Sequence, residues 1–136
     1  MKPIILKLAG VWLASVPALG AATYHVVPPG VGANPVPNYT SWATAATNIH
    51  DVMDRVTHGD TVLVSNGCYR LSKVLGAYHS ITVRSWNDGE LDPEGTILDG
   101  NNYAGKAVTN NVFNIQNASA LVEGFTITNG RYGAPG

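Results

Sequence analysis

The chain has 136 residues, eight basic and nine acidic, for a net charge of −1, with 12% charged and 45% hydrophobic side chains. That balance gives no electrostatic drive toward nucleic acid or anionic lipid, and the length suits one modest domain. A single cysteine, Cys68, excludes an internal disulfide framework, so packing must supply the stability.

The first 22 residues read as a secretory signal peptide. Lys2 and Lys7 form a basic start, Leu8 to Val16 an apolar stretch, and Pro17 a break before Ala18, Gly20, Ala21 and Ala22. Cleavage after Gly20 or after Ala22 would each use small residues at the required positions. The apolar stretch is shorter than the roughly 20 residues of a membrane span, and no later stretch is long and apolar enough for one. Removing residues 1–22 leaves six basic against nine acidic side chains, a net charge of about −3.

Residues 23–58 form an entry segment. Tyr24 to Val27 reads as a strand, and PPGVGANPVPN (28–38) as an extended loop. A helix is expected over 41–57. Thr40 or Ser41 would cap it, and Trp42, Ala45, Ala46, Ile49, Val52, Met53 and Val56 would form its apolar stripe. Asp51 and Arg55 would pair on its surface. Gly59 would end it, and its stripe would cover one end of a stack of strands.

From residue 59 to 136 the apolar period becomes two. Five short runs each close on a polar turn: TVLVSNG (61–67), ITVRSWNDG (81–89), TILDGN (96–101), VFNIQN (112–117) and FTITNG (125–130). Alternation puts Ile81 with Val83, Phe113 with Ile115, and Phe125 with Ile127 on common faces. Strands this short need neighbours to bury those faces, which predicts stacked repeats. Spacings between comparable apolar residues are irregular: 16 from Ile81 to Ile97, 16 from Ile97 to Phe113, and 12 from Phe113 to Phe125. This fits coils of more than one strand with bulging turns. Asn side chains at the turns are placed to hydrogen-bond from one rung to the next.

With the helix before them, HGDTVLVSNGCYRL (58–71), SITVRSWN (80–87), TILDGNN (96–102) and ALVEGFTITNG (120–130) resemble the N-terminal part of right-handed parallel β-helix proteins. These form the pectin-lyase-like superfamily, and the likeness is to its secreted bacterial members. Gly59-Asp60-Thr61-Val62 and Gly67-Cys68-Tyr69 match the element that opens the first coil, with Cys68 where Thr is commoner. Leu98-Asp99-Gly100 and Gly124 to Gly130 match later rungs. The resemblance covers roughly residues 24–136 and implies an all-β solenoid: a capping helix and the first two to three coils of a longer, truncated stack. It does not fix function, because the superfamily holds polysaccharide lyases, glycoside hydrolases, epimerases and non-catalytic surface proteins. The implied calcium-assisted lyase chemistry belongs to coils beyond the first two or three. No catalytic, cofactor or metal residue is therefore assigned here, and calcium is expected only in a longer parent protein.

Several clusters admit both a functional and a plainer reading. Asp88, Glu90, Asp92 and Glu94 offer oxygen ligands, but Pro93 limits how the loop can wrap, and a solvated connecting loop is the simpler reading. His50 and Asp54 stand four apart without a second pair, which favours a polar helix face over a metal site. Arg84 and Glu123 read as surface charges. Tyr69, Trp86, Tyr103 and Tyr132 could stack on sugars but are assigned to packing. Cys68 reads as a buried small hydrophobe. Asn38 and Asn117 open the sequons Asn38-Tyr39-Thr40 and Asn117-Ala118-Ser119. The expectation is a secreted or cell-surface scaffold, with the periplasm as the other destination. It is non-catalytic by itself, binds polysaccharide or cell-surface glycan, and self-associates through its uncovered end. The alternative is the leading part of a polysaccharide lyase or glycoside hydrolase.

Overall fold

A computed structural model of the chain describes residues 20–101, 111–116 and 119–130. The signal-peptide reading of residues 1–22 falls almost wholly outside these. Strands dominate and helix is scarce: β1 (Thr23–Val26), β2 (Thr61–Ser65), β3 (Gly67–Arg70), β4 (Leu75–Ala77), β5 (Thr82–Trp86), β6 (Thr96–Asp99), β7 (Phe113–Ile115), β8 (Leu121–Glu123) and β9 (Thr126–Thr128). Every pairing between these strands is parallel. No helix among the described residues is long and apolar enough to cross a membrane.

The strands form three sheets with orders β1-β2-β5-β8, β3-β6-β9 and β4-β7. The chain thus visits the sheets in the same sequence twice (β2, β3, β4, then β5, β6, β7) and begins a third pass with β8 and β9. Adjacent passes lie in register, with Val62 beside Val83 and Val83 beside Val122 in the first sheet. In the second sheet Tyr69 lies beside Leu98, and Leu98 beside Ile127. In the third, Leu75 meets Phe113 and Ala77 meets Ile115. These inward columns build the core, where Val62, Val83, Leu75, Ala77 and Leu98 are fully buried. Burying each valine or leucine there contributes about 1.5–3 kcal/mol.

The sheets explain the irregular spacing seen along the sequence. Thr61 pairs with Thr82, but Thr82 pairs with Leu121, because the second pass carries the longer connections. Ile81, Ile97 and Phe113 are not equivalent positions; they lie beside or within β5, β6 and β7, in three different sheets.

The single helix expected over 41–57 is not formed. A 3-10 turn spans Trp42–Thr44, and a short α-helix, α1, spans Ile49–Met53. Ser41 does cap the first, its hydroxyl accepting from the Thr44 amide, and Asn48 caps the second by accepting from His50. Between them the backbone is captured by β1. The Ala46 amide donates to the His25 carbonyl (2.9 Å), and the Val27 amide donates to the Ala46 carbonyl (2.8 Å). A strand edge with unmet hydrogen bonds outweighs helix propensity here. Because α1 stops at Met53, Arg55 leaves the helix surface and lies over the Tyr39 ring, 5.9 Å from its centroid, without pairing with Asp51. The apolar stripe still does its work: Ile49, Val52, Met53 and Val56 are buried, and α1 packs on β1 and β4.

Asp60 fastens this region to the first sheet. Its buried carboxylate accepts from the Ala22 amide (2.7 Å), the Thr57 amide (2.7 Å) and the Thr57 hydroxyl (3.1 Å). Burial alone would raise its pKa, but these donors outweigh it and hold the carboxyl below its usual value.

Candidate functional site

The turn after β5 is a tight hairpin. Asp88 (φ 49°) and Gly89 (φ 99°) both have positive φ, and Asn87 and Glu90 exchange amide-to-carbonyl bonds of 3.0 Å. An Asp-Gly pair suits that geometry. Behind the turn, the Asp92 carboxylate is a hub. It accepts from Asn66 Nδ2 (2.7 Å), Asn87 Nδ2 (3.1 Å) and the Gly95 amide (2.8 Å), while the Asp92 amide donates to Ser85 Oγ (2.9 Å). The Gly95 hydrogen bond, followed by that from Asn66, holds this carboxyl below its usual pKa. Asp92 therefore ties a loop together, and no group of three or more His, Cys, Asp or Glu side chains that could hold a metal gathers among the described residues.

The hub fixes one side of a groove of about 310 Å³, lined by Trp42, Ser65, Asn66, Trp86, Asn87 and Asp88. Strand register brings Ser65 beside Trp86, and the Trp42 ring meets His25 edge-on at 4.5 Å. Both tryptophans are partly exposed. Asn66 is held by Asp92 and by the Thr96 hydroxyl, which donates to its Oδ1 (3.2 Å). Among the described residues, Asn87 Oδ1 and the Asp88 carboxylate have no hydrogen-bond partner. The groove thus joins two indoles to open acceptor groups, the pattern of a site for a flat, hydroxyl-bearing ligand.

The sequence pattern places Trp86 in packing and Trp42 on the apolar stripe of a helix, and nothing in it brings the two together. No local signal joins residues 42 and 86; only the capture of the 45–47 segment by β1 and the β2–β5 register do. Tyr69 is a core residue, 3% exposed, its hydroxyl donating to the Ser65 carbonyl (2.7 Å), and burial pushes its pKa up. Tyr103, Tyr132 and Asn117 lie outside the described residues. Asn38 is exposed with φ 92°.

Cys68 is exposed, not buried. Alternation in β3 sends Tyr69 inward, which turns Cys68 outward beside Ile97. Arg84 and Glu123 form an ion pair across adjacent strands, 3.4 Å apart. Among the described residues the turns carry mixed polar links and no Asn-to-Asn ladder: Asn66 with Thr96, and Asn129 donating to Asp99 (2.7 Å).

His50 and Asp54 do not converge. His50 Nε2 accepts from the Ser72 amide (3.2 Å), whereas Asp54 takes Lys73 in a paired contact of 2.7 and 2.9 Å. That ion pair borders a second cleft of about 290 Å³, which also holds Met53, Tyr78 and His79. Its one lysine is already committed, so the cleft offers a weaker case for a ligand. A scan against protein-family models finds no match for this chain, and searches of curated proteins and of solved structures find none either.

Proposed function

We propose that the chain is the leading part of an exported right-handed parallel β-helix of the pectin-lyase-like kind. In this reading it is a non-catalytic extracellular or cell-surface scaffold that binds glycan. The observation that carries this is the twice-repeated visit to three parallel sheets in one order, with inward columns in register. Parallel crossovers are right-handed in about 98% of cases, which supplies the hand. The aromatic and amide groove on the outer surface supports the glycan partner.

The two ends of the stack differ. Outside β1, the Tyr39 and Ala46 backbones take up the strand's hydrogen bonds. At β7, β8 and β9 no further strand pairs among the described residues, and Ile115, Leu121 and Ile127 are about half exposed. That end accepts another rung, from the same polypeptide or a second copy.

If the leader is removed, the contacts of Ala22 bear on where. Ala22 donates to buried Asp60, and its carbonyl accepts from the Thr61 amide (2.8 Å), so the fold favours cleavage after Gly20 over cleavage after Ala22. The test is to express residues 1–136 in a secreting bacterial host and incubate the recovered protein with insoluble polysaccharides. A mature mass beginning at Ala21 and co-sedimentation without chain cleavage are expected. Intracellular retention with an intact leader, or release of new polysaccharide chain ends, would contradict the proposal.

A further inference from the structure

We infer that the Trp42–Trp86 groove takes an uncharged pyranose chain and turns away polyuronates. The inference rests on the glycan-binding reading and names the class of glycan. Three properties of the groove carry it. First, two partly exposed indoles line one surface, and the axial C–H faces of a pyranose stack on indole without any charge being required. Secondly, the amide nitrogens of Asn66 and Asn87 are both turned to Asp92, at 2.7 and 3.1 Å. The oxygens left to a ligand, Asn87 Oδ1 and the Asp88 carboxylate, are acceptors. The donors that remain (the second hydrogen of each amide, the Ser65 hydroxyl and the indole N–H groups) are all uncharged. Sugar hydroxyls pair with both kinds of group, whereas a uronate carboxylate meets no cation there and only neutral donors.

The third property is charge. Asp88 sits at the tip of the hairpin, and none of the six lining residues is basic. A polyuronate would bring a row of carboxylates well within the screening length of about 8 Å from Asp88, where like charges repel. Arg84, on the strand that carries Trp86, is occupied by Glu123 at 3.4 Å. The indole N–H groups can donate to a hydroxyl oxygen, but as neutral donors they do not offset that repulsion. The framework is rigid where it matters. Asp92 holds both asparagines, and the Asp88-Gly89 turn is closed by two backbone bonds, so a ligand meets a preformed surface.

The full chain would be titrated with cellohexaose, xylohexaose, mannohexaose and hexagalacturonate, following tryptophan fluorescence and calorimetric heat. At least one neutral hexasaccharide is expected to bind and shift the tryptophan emission, with hexagalacturonate weaker than it. Trp86→Ala should weaken the neutral ligand about tenfold or more, as loss of one stacked ring does. Asp88→Asn keeps an acceptor and a residue type that tolerates positive φ, so it tests charge without disturbing the turn. It should strengthen hexagalacturonate several-fold and, by replacing a charged acceptor with a neutral one, weaken the neutral ligand modestly, so that the preference for the neutral chain narrows. Hexagalacturonate binding as tightly as the neutral chains, or an indifferent Asp88→Asn variant, would overturn the inference. Neutral binding that survives Trp86→Ala would also overturn it while leaving the glycan-binding scaffold intact. Absence of binding by every oligosaccharide would overturn both.

Discussion

His50 is held as a neutral acceptor. The residue is 5% exposed, its Nε2 receives the Ser72 amide, and its proton therefore sits on Nδ1, which is buried without a partner among the described residues. Burial, followed by the nearby Lys73 charge, pushes its pKa below the ordinary 6.5. A depressed folded-state pKa contributes stability that is present above the unfolded value and lost as pH falls toward the folded one. Urea melts should therefore show stability falling as pH drops below about 6.5. His50→Gln keeps an acceptor that does not titrate, and it should flatten that part of the curve. An unchanged slope in the variant would mean another group is responsible. Asp60 and Asp99, both held below their usual values, add a second loss at lower pH, through the folded pKa of each.

At the scale of elements, the same side chain matters differently at different depths in the stack. Leu98 in β6 lies between Tyr69 and Ile127 and is fully buried, whereas Ile127 in β9 lies over Leu98 and is half exposed. Leu98→Ala should cost about 2–5 kcal/mol, since it leaves a cavity between two passes. Ile127→Ala should cost well under half of that, measured by denaturant unfolding. Equal costs would mean that the third pass is covered. Alternation alone made these inward faces legible: Ile81 with Val83 and Phe125 with Ile127 could be read directly, because side-chain direction in a strand is a local property. The break at 45–48 could not be read, because Ala45 and Ala46 fit a helical stripe until the β1 edge competes for their backbone. The outward place of Cys68 has a related cause. Its usual preference for burial yields to Tyr69, the larger apolar neighbour, which takes the inward position.

Gly124 illustrates how closely the passes approach. With φ of 76°, it lies where any Cβ would run into Ser85 Oγ and come within 3.0 Å of Leu91. The motif around it carries the resemblance to β-helix rungs, and the physical requirement here is the close crossing of β8 over the loop behind β5. The groove was legible only in part for a similar reason. Trp86 could be singled out by type, but its partners Trp42 and Asn66 come from residues far away in sequence.

For the whole molecule, everything depends on successive passes lying parallel and in register. The core columns, the Arg84–Glu123 pair, the Asp99–Asn129 link and the groove all follow from that arrangement. So does the contrast between an end sealed at β1 and an end that leaves Ile115, Leu121 and Ile127 half exposed. The native thiol offers a direct test of the register. Cys68 faces outward beside Ile97 on the neighbouring strand, and paired strands stand about 4.8 Å apart, within the span a disulfide bridges. In the Ile97→Cys variant, mild oxidation should join the new thiol to Cys68 within one chain, leaving no titratable thiol and lowering the monomer mass by two hydrogens. The control Asp99→Cys, which pairs with Arg70, should keep its thiols free. Two free thiols in the oxidised Ile97→Cys monomer, or a bridge formed as readily by Asp99→Cys, would contradict the parallel register.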